Sequence, residues 1–351
     1  MPAVDLFDID SYDYVLPEEL IAQNPANPRD SSRLMVLDRT SGVLSHRRFF
    51  QLGEYLGAND LLVLNDTKVI PARLHGEKIG GGGRAEVLLL KPLNSEQTEW
   101  EALVKPGRRL RCETRIRLRD GTEIMVGERT DQGEGVRKVY FPEGTQIGAL
   151  LDKVGETPLP PYITRSEAPA SAYQTVFAAR DGSAAAPTAS LHFTEVLIEK
   201  FRRETGISIA WVTLHVGLGT FRPVKCSDIR DHAIHKESCF LPRETAALVT
   251  EAKKRGGRVI AAGTTVARTL ESMATAEGAL RFGEMDTGLF IYPGFDFKIT
   301  DALLTNFHLP KSSLLMLVAA FAGYRSIIDA YETAVSMGYR FFSFGDAMFI
   351  H

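Results

Sequence analysis

A change of hydrophobic pattern within the chain constrains its fold more than any other feature. Between residues 75 and 154, apolar residues recur at every second position over short segments, which is typical of strands with one buried face. Asp120-Gly121 lies between two such segments and is a strong signal for a tight hairpin turn. Five or more short strands without a helix predict a small antiparallel barrel. The candidate strands are 86–90, 100–104, 115–119, 123–126 and 137–141.

The remainder of the chain alternates predicted strands with predicted helices, which is typical of an α/β domain. Asn65, Asp66 and Thr67 precede the barrel segment, and the α/β pattern resumes after a proline-rich stretch at 155–163. We therefore predict an α/β domain from residues 1–74 and 155–351, with a small antiparallel β-barrel domain, 75–154, inserted in it. The other candidate strands are 207–214, 258–262 and 289–292, and the candidate helices are 244–255, 265–273 and two that begin at Ser312 and Ile327.

The composition is that of an ordinary globular protein, with 351 residues, 44% of them hydrophobic, and a formal charge of −3. This charge excludes a generally basic nucleic-acid coat but is compatible with a local basic patch. Three cysteines form no C-x-x-C pair, which predicts free thiols in a reducing compartment. The first ten residues lack the apolar core of a signal peptide, and the longest apolar run, 314–323, is about half the ~20 residues of a membrane span. We therefore expect a cytoplasmic protein without a membrane segment.

One strand of the predicted barrel carries a stripe of positive charge. Arg115, Arg117 and Arg119 alternate with apolar residues and therefore share one face of that strand. The run 105–119 holds seven basic residues and one acidic residue, Glu113. A solvated charged face would explain the run, but the near absence of acids favours contacts with a polyanion, RNA or DNA phosphates. The candidate contact residues are Lys105, Arg108, Arg109, Arg115, Arg117 and Arg119.

Two segments combine small residues with a histidine. Residues 181–190 would let backbone approach a ligand, and His192 is expected to open an amphipathic helix, although a mobile loop beside a helix cap is an equal alternative. The side chains expected on the inner face of that helix are Val196, Leu197 and Phe201. The segment 211–224 contains G-x-G after a strand, but Arg222 stands where the third glycine of a dinucleotide loop belongs. We interpret it as a strand whose His215 points into a cleft beside a glycine turn.

Two further clusters of polar residues could bind a ligand or a metal. Thr264 follows a predicted strand and a glycine at a helix start, with Arg268 one turn later, a geometry suited to oxygen or anion binding. A simple helix cap explains Thr264 but not Arg268 on the same face. His232, His235 and Glu237 could be zinc ligands, although no H-E-x-x-H motif or cysteine pair supports a metal site. Acid–base or hydrogen-bonding roles fit these three residues equally well.

Near the C-terminus, polar residues directly precede an apolar helix. Asn306, His308, Lys311 and Ser312 come before a segment that is apolar on nearly every face from Leu314 onward. Such a helix is expected to be buried, so its first turn would present N–H groups and polar side chains inside an apolar interior. A capped core helix is the simpler alternative.

The segment 339–348 surrounds two charged residues with aromatic ones. Four aromatic side chains lie next to Arg340 and Asp346 in the sequence. Aromatic residues usually pack in a core, but they also stack on a nucleobase that has left its helix.

Together, these motifs resemble one family, the S-adenosylmethionine:tRNA ribosyltransferase-isomerases of queuosine biosynthesis. They occur in the family's order along the whole chain. The departures are small: Ser190 where the family usually has Gly, Val266-Ala267 before Arg268, and Phe344 where Tyr is frequent. The matching segments are Y-D-Y-V-L-P-E-E-L-I-A-Q (12–23), R-D-S-S-R-L-M-V-L-D (29–38), N-D-T-K-V-I-P-A-R-L (65–74), K-P-G-R-R (105–109), P-L-P-P-Y-I (158–163), Y-Q-T-V-F-A (173–178), A-A-P-T-A-S-L-H-F-T (185–194), T-L-H-V-G-L-G-T-F-R-P-V (213–224), G-T-T-V-A-R-T-L-E (263–271), T-N-F-H-L-P-K-S-S-L-L (305–315) and Y-R-F-F-S-F-G-D-A-M (339–348).

The resemblance implies an α/β domain with an inserted small β-barrel, and it implies a reaction. The ribosyl part of S-adenosylmethionine is transferred to 7-aminomethyl-7-deazaguanine at the tRNA wobble position and isomerised to the epoxycyclopentanediol of epoxyqueuosine. Adenine and methionine leave. S-adenosylmethionine is thus a consumed substrate, and no cofactor, metal or prosthetic group is expected. The implied partners are S-adenosylmethionine and the modified tRNA, with no membrane, no required protein partner and a monomeric state.

This chemistry needs a general base, an acid for adenine and hydrogen bonds to the sugar hydroxyls. The candidates for proton transfer are His192, His215 and His308, and we prefer His192 as the base. The candidates for holding the ribose or the methionine carboxylate are Asp66, Thr264, Arg268 and Asn306. Arg340 and Asp346 would frame the target base.

Two other classes of function stay open at this point. One is a metal-dependent hydrolase that uses His232, His235 and Glu237. Metal analysis of the purified protein would reveal it by showing stoichiometric zinc. The other is a non-catalytic RNA-binding protein whose barrel does the binding, although that reading leaves the polar clusters of the α/β part unexplained.

Overall fold

The structure, a computed structural model, describes residues 4–130, 135–217 and 224–351. Its internal contacts divide the chain into two units. The α/β unit holds Met1–Thr67, Pro161–Arg180 and Ala186–His351, and the barrel unit holds Lys68–Pro160 and Asp181–Ala185. The predicted insertion, 75–154, lies inside the barrel unit, which begins earlier and ends later. The short segment 181–185 is hydrogen-bonded to this unit. For example, the Ile70 N–H donates to the Ser183 carbonyl at 3.0 Å.

Eighteen strands and six α-helices are present in the described residues. The strands are β1 (Arg33–Leu37), β2 (Leu44–Arg48), β3 (Leu61–Asn65), β4 (Thr67–Val69), β5 (Arg73–Lys78), β6 (Arg84–Pro92), β7 (Glu99–Lys105), β8 (Arg115–Leu118), β9 (Glu123–Arg129), β10 (Val136–Tyr140), β11 (Gly155–Glu156), β12 (Arg180–Ser183), β13 (Ser208–Leu214), β14 (Glu237–Leu241), β15 (Val259–Ala262), β16 (Gly283–Thr287), β17 (Ala302–Asn306) and β18 (Ala347–Ile350). The helices are α1 (Ile147–Val154), α2 (Glu195–Thr205), α3 (Arg243–Lys254), α4 (Thr264–Met273), α5 (Ser313–Ala322) and α6 (Tyr324–Ser336).

The α/β unit is built on a nine-stranded sheet with the order β16-β14-β13-β3-β15-β17-β18-β1-β2. Its four central strands, β13, β3, β15 and β17, are parallel, whereas β18 is antiparallel to β17 and parallel to β1. Buried side chains from these strands pack against α2, where Leu197, Ile198 and Phe201 face inward. The predicted mixed α/β class is confirmed.

The barrel unit contains a closed barrel of six antiparallel strands. They follow the order β5-β6-β7-β10-β9-β8, and β8 pairs with β5 to close the ring. The predicted hairpin turn at Asp120-Gly121 joins β8 to β9, and its glycine has a φ of +95°, which few other residues adopt. The prediction that this segment lacks a helix was wrong. Helix α1 ends it and buries Ile147, Leu150 and Leu151, the i, i+3, i+4 spacing of an amphipathic helix.

Several elements of the α/β unit differ from the sequence-based prediction. No strand forms at 289–292, whereas β1, β3, β17 and β18 were not predicted. All residues of β3 and β17 are buried, and such short runs show no alternation that would identify a strand. Helix α2 starts after Thr194, whose Oγ1 caps it at Leu197 N, so Val196 is 80% exposed instead of inward.

The apolar helix predicted near the C-terminus is confirmed as α5. Ser312 caps it by accepting a bond from the Leu315 N–H, and nearly all of its side chains are buried. No single helix in the described part of the chain is both long and apolar enough to cross a membrane, and α5 with α6 pass that test together only by length and composition, across a bend of 118°. The three cysteines are free thiols, with Cys112 exposed and Cys239 buried.

Candidate active site

Five of the candidate residues lie where the central parallel strands end. Asp66 directly follows β3, His215 follows β13, Thr264 follows β15 and Gly263, Asn306 ends β17, and His308 comes two residues later. In open α/β sheets, ligands bind in the crevice outside the carboxyl ends of the strands. The structure therefore brings these five residues to one edge of the sheet, which we call the catalytic edge.

The neighbouring strands bring further residues to the catalytic edge. Because β18 runs antiparallel to β17, its first residue, Ala347, pairs with Asn306. The preceding loop, which includes Arg340 and Asp346, therefore lies at this edge. The start of β1 lies there as well, since Leu34 pairs with Ala347.

His192 is buried behind the edge with both ring nitrogens occupied. Its Nδ1 lies 2.8 Å from Ser32 Oγ, its Nε2 lies 3.2 Å from Asn306 Nδ2, and the ring of Phe49 stacks on it. The Asn306 amide also donates to the Phe342 carbonyl, which fixes its NH₂ group toward His192. His192 Nε2 must therefore be the unprotonated acceptor and Nδ1–H the donor to Ser32. Burial lowers the pKa of His192 to about 4, Asp346 opposes this shift, and Arg340 and Arg29 act in the same direction as burial.

His308 has the opposite tautomer and a lone pair without a partner. Thr305 Oγ1 donates to the Asn306 carbonyl at 3.3 Å, so it accepts from His308 Nε2–H at 2.8 Å. Nδ1 of His308 is then unprotonated and has no hydrogen-bond partner among the described residues. Burial lowers the pKa of His308 to about 3, so the imidazole is neutral at pH 7.

Two small clefts meet at the catalytic edge. Each has a volume of about 40 Å³, which is room for a few water molecules. Thr188, Asn306, His308 and Leu314 line both clefts. The first cleft continues to Gly263, Thr264 and Thr265, and the second continues to Tyr162, Ser312, Phe342 and Ser343. His192 lines neither and reaches them only through Asn306.

The side chain of Asn306 holds an unsatisfied acceptor between the clefts. Its Oδ1 atom is buried and has no hydrogen-bond partner. An unsatisfied buried acceptor costs about 1–3 kcal/mol, so this atom is poised for a donor that a ligand would bring.

The first cleft ends at the N-terminus of α4. Gly263 precedes the helix with a φ of +110°, a left-handed conformation that favours glycine, and no side chain caps the helix. The first N–H groups of a helix lack intrahelical partners and attract negative charge. Asn65 supports this turn by donating to Thr265 Oγ1 and to the Leu214 carbonyl.

Asp66 and His215 are each held by a threonine. Thr213 Oγ1 donates to Asp66 Oδ1 at 2.6 Å, and Thr67 Oγ1 lies 2.7 Å from His215 Nδ1. Both candidate residues are only partly buried. Most of the glycine turn predicted beside His215, 218–223, lies outside the described residues.

Arg268 forms a buried ion pair with Glu237. The two side chains are 3% and 4% exposed, and Arg268 Nε also donates to the Leu289 carbonyl. Its Nη2 atom is buried without a partner. No group of three or more His, Cys, Asp or Glu residues in the described part of the chain could hold a metal ion, and His232 packs on the ring of Phe290 instead. The zinc alternative therefore has no geometric support.

The carboxylate oxygens of Asp346 already have hydrogen-bond partners within the protein. Its oxygens accept from the backbone and guanidinium of Arg33 and from the backbone of Arg340, and the carboxylate is buried. Of the four neighbouring aromatic residues, only Phe342 lines a cleft, where it stacks on Tyr162 with 4.5 Å between ring centroids. The other three are core residues: Tyr339, Phe341 and Phe344.

The basic stripe of the barrel is confirmed as exposed, but it is not a surface of one sign. Arg117 pairs with Glu123 at 2.9 Å, Arg119 with Glu156 at 2.8 Å, and Lys105 lies 3.6 Å from Glu86. The compensating acids come from other strands, so the run 105–119 alone could not show them. Arg108, Arg109 and Arg115 have no carboxylate within 4.0 Å among the described residues.

Sequence reasoning missed several residues of the site. Ser32, Thr188, Tyr162 and Phe342 contact the candidate histidines or line the clefts. Tyr162 lies in the proline-rich stretch 155–163, where no site residue was predicted. Phe342 has a φ of +70°, which is uncommon for a bulky residue and which sequence alone does not reveal.

The two buried histidines make stability depend on pH. Their pKa values of about 4 and about 3 lie below the unfolded value of ~6.5, so below pH 6.5 the unfolded chain binds protons that the folded chain does not. Stability should therefore fall as pH falls from 7.5 toward 4, by about 2 kcal/mol per histidine between pH 7.5 and 5. Urea unfolding of wild type and His192→Phe at pH 7.5 and 5.0 measures this. An equal pH dependence in both proteins would contradict the expectation for His192.

Comparisons with known proteins identify the family. A family profile described as "Queuosine biosynthesis protein" matches residues 9–350. A protein named S-adenosylmethionine:tRNA ribosyltransferase-isomerase from Moorella thermoacetica is 52% identical over 343 residues, 97% of this chain and 99% of that protein. A protein of the same name from Thermosipho africanus is 51% identical over 343 residues, 98% of this chain and 99% of its own.

A solved structure extends the similarity to the fold. The crystal structure of S-adenosylmethionine tRNA ribosyltransferase from Thermotoga maritima is 39% identical, with a TM-score of 0.55, over 97% of this chain and 100% of that one. The resemblance found in the sequence motifs is thus confirmed. This chain belongs to the queuosine biosynthesis protein family.

Proposed function

We propose that this protein transfers the ribosyl moiety of S-adenosylmethionine to 7-aminomethyl-7-deazaguanine at the wobble position of tRNA and isomerises it, which gives epoxyqueuosine-tRNA. The observation that carries the proposal is the full-length identity of about half the residues with proteins of that name. The site supports it because polar groups converge at the catalytic edge beside an apolar helix. A reactive open-chain sugar needs such a water-poor setting.

The first step requires a base beside the sulfonium. The positive sulfur acidifies the adjacent ribose carbon, and loss of that proton opens the sugar ring and expels adenine. The aminomethyl nitrogen of the tRNA base then joins the rearranging sugar, and epoxide closure expels methionine. We assign the base to His308, because its Nδ1 lone pair is free and its ring lines both clefts.

His192 then acts through Asn306. Its lone pair is covered by the Asn306 amide, so it orients that amide rather than reaching substrate. The free Oδ1 of Asn306 would accept a hydrogen bond from a sugar hydroxyl or from the methionine ammonium group. The α4 N-terminus, with Thr264, suits the methionine carboxylate. Asp66 remains a candidate for holding the ribose, His215 for proton transfer, and Arg340 for the target base.

Substrate entry requires the clefts to widen. Ligand pockets of the size of a nucleoside occupy about 300–1,000 Å³, far more than either cleft. Thr188 and Leu314 line both clefts and are only partly buried, so their displacement would widen the space. We further propose that the enzyme needs no metal or prosthetic group, acts as a monomer and works in the cytoplasm, where its free thiols would stay reduced.

One incubation tests the proposed activity. Protein dialysed against EDTA is mixed with S-adenosylmethionine and tRNA that either carries or lacks the aminomethyl-deazaguanine, and products are followed by mass spectrometry. We expect adenine and methionine in equal amounts, only with the modified tRNA, together with a matching gain in tRNA mass. Binding of the tRNA without any release would contradict the proposal and favour a non-catalytic RNA-binding protein.

A further inference from the structure

The barrel unit contains a wide groove lined by positive charge. It has a volume of about 590 Å³, and the side chains around it include Lys78, Arg84, Arg108, Arg109 and Arg111. No carboxylate is present among the described residues that line it. Glu113, the one acid of the run 105–119, is not part of the lining. The groove is thus a concave surface of a single sign in a protein whose formal charge is −3.

The cations of this groove lack counter-charges. None of the five forms an ion pair within 4.0 Å with a carboxylate in the described ranges, and four of them are exposed arginines. The stripe residues Arg117 and Arg119 differ, because each already has a glutamate partner. Binding of a polyanion to the groove would need no ion pair to break, whereas binding to these stripe residues would compete with their partners.

A glycine run shapes one wall of the groove. Gly81, Gly82 and Gly83 line it between β5 and β6, and the Lys78 N–H closes the hairpin on the Gly83 carbonyl at 3.0 Å. Gly82 and Gly83 have φ values of +65° and +105°, which favour glycine, and a Cβ atom added at any of the three would meet nothing within 4 Å. The missing side chains leave backbone open to the groove, where a sugar-phosphate chain could approach it closely.

We propose that this groove binds the phosphate backbone of the tRNA substrate; the proposal rests on the proposed function. Several separated cations along one open groove suit a chain of phosphodiesters better than a single small anion. Lys and Arg contacts to phosphates set the position of a nucleic acid without reading its sequence. The groove therefore holds the tRNA body, while recognition of the modified base belongs to the catalytic edge.

The salt dependence of tRNA binding tests the groove. Two variants remove two positive charges each, Arg108→Ala/Arg111→Ala in the groove and Arg117→Ala/Arg119→Ala in the stripe, so the net charge changes equally. The groove variant should bind tRNA about 10–100-fold more weakly at 0.15 M salt and lose about 1.5 from the slope of log K against log salt. The stripe variant should show a smaller loss of tRNA affinity and a smaller change in that slope.

Three outcomes decide the matter. Equal losses in both variants would mean that only the overall field matters and would overturn the groove, as would a larger loss in the stripe variant. Calorimetric binding of S-adenosylmethionine, measured on each variant, shows that the α/β unit is intact. If wild type binds tRNA but releases no adenine, the proposed activity fails while the comparison of the two variants still decides on the groove.

Discussion

His308→Gln should slow the release of adenine by about 10²–10⁴-fold, the usual contribution of a positioned general base. The glutamine amide can still donate to Thr305 Oγ1, as His308 Nε2 does, but it lacks the free lone pair of Nδ1. Binding of S-adenosylmethionine should be little changed because charge and volume are nearly preserved. Single-turnover assays with saturating substrates, together with calorimetric binding, measure the two effects separately.

The matched control for this variant is His192→Gln. Because His192 lines neither cleft, we expect a smaller loss of rate for it, within about 10–100-fold, through misplacement of Asn306. The sequence alone favoured His192 as the base, so the pair of variants discriminates directly. A severe defect in the His192 variant with near-normal turnover of the His308 variant would return the base role to His192.

Glu237→Ala should lower the free energy of unfolding by about 3–5 kcal/mol. The change leaves the Arg268 guanidinium buried without its charge partner, and one of its nitrogens already lacks any hydrogen bond. It also removes the acceptor of the Gly217 N–H at 2.9 Å. Equilibrium urea unfolding at pH 7.5 gives the free energy directly.

The double variant Glu237→Met/Arg268→Leu is the control for that loss. Replacing both charges by apolar side chains removes the unpaired cation and should recover much of the stability. A loss below about 1 kcal/mol in Glu237→Ala would show that water reaches Arg268 and compensates its charge.

The barrel was the most predictable part of the fold. Five of its six strands were predicted, because strands such as β7 and β8 alternate buried residues with more exposed ones; β5 was not predicted. The buried strands β3 and β17 carry no such alternation, and they were missed. Yet Asp66, which follows β3, and Asn306, which ends β17, were both predicted as site residues, since polar side chains after apolar runs are conspicuous even when the strand is not recognised.

What the sequence could not supply is the set of contacts between distant segments. His192 and Asn306 are 114 positions apart, and only their contact shows that one lone pair is covered. Glu156, 37 positions from Arg119, likewise neutralises a charge that appeared unopposed. Most of the predicted catalytic and substrate-binding residues thus lie at the catalytic edge. The protonation state of each histidine, however, could be assigned only from its contacts in the fold.

The narrowness of the two clefts has a consequence for the fate of each bound sulfonium. A cleft with room for only a few water molecules delays entry of the substrate. It equally delays escape of the ring-opened sugar after adenine has left. We therefore expect commitment to product to depend on how seldom Thr188 and Leu314, which line both clefts, move apart. A low turnover would then accompany little loss to hydrolysis of the ring-opened sugar, which derives from the substrate S-adenosylmethionine.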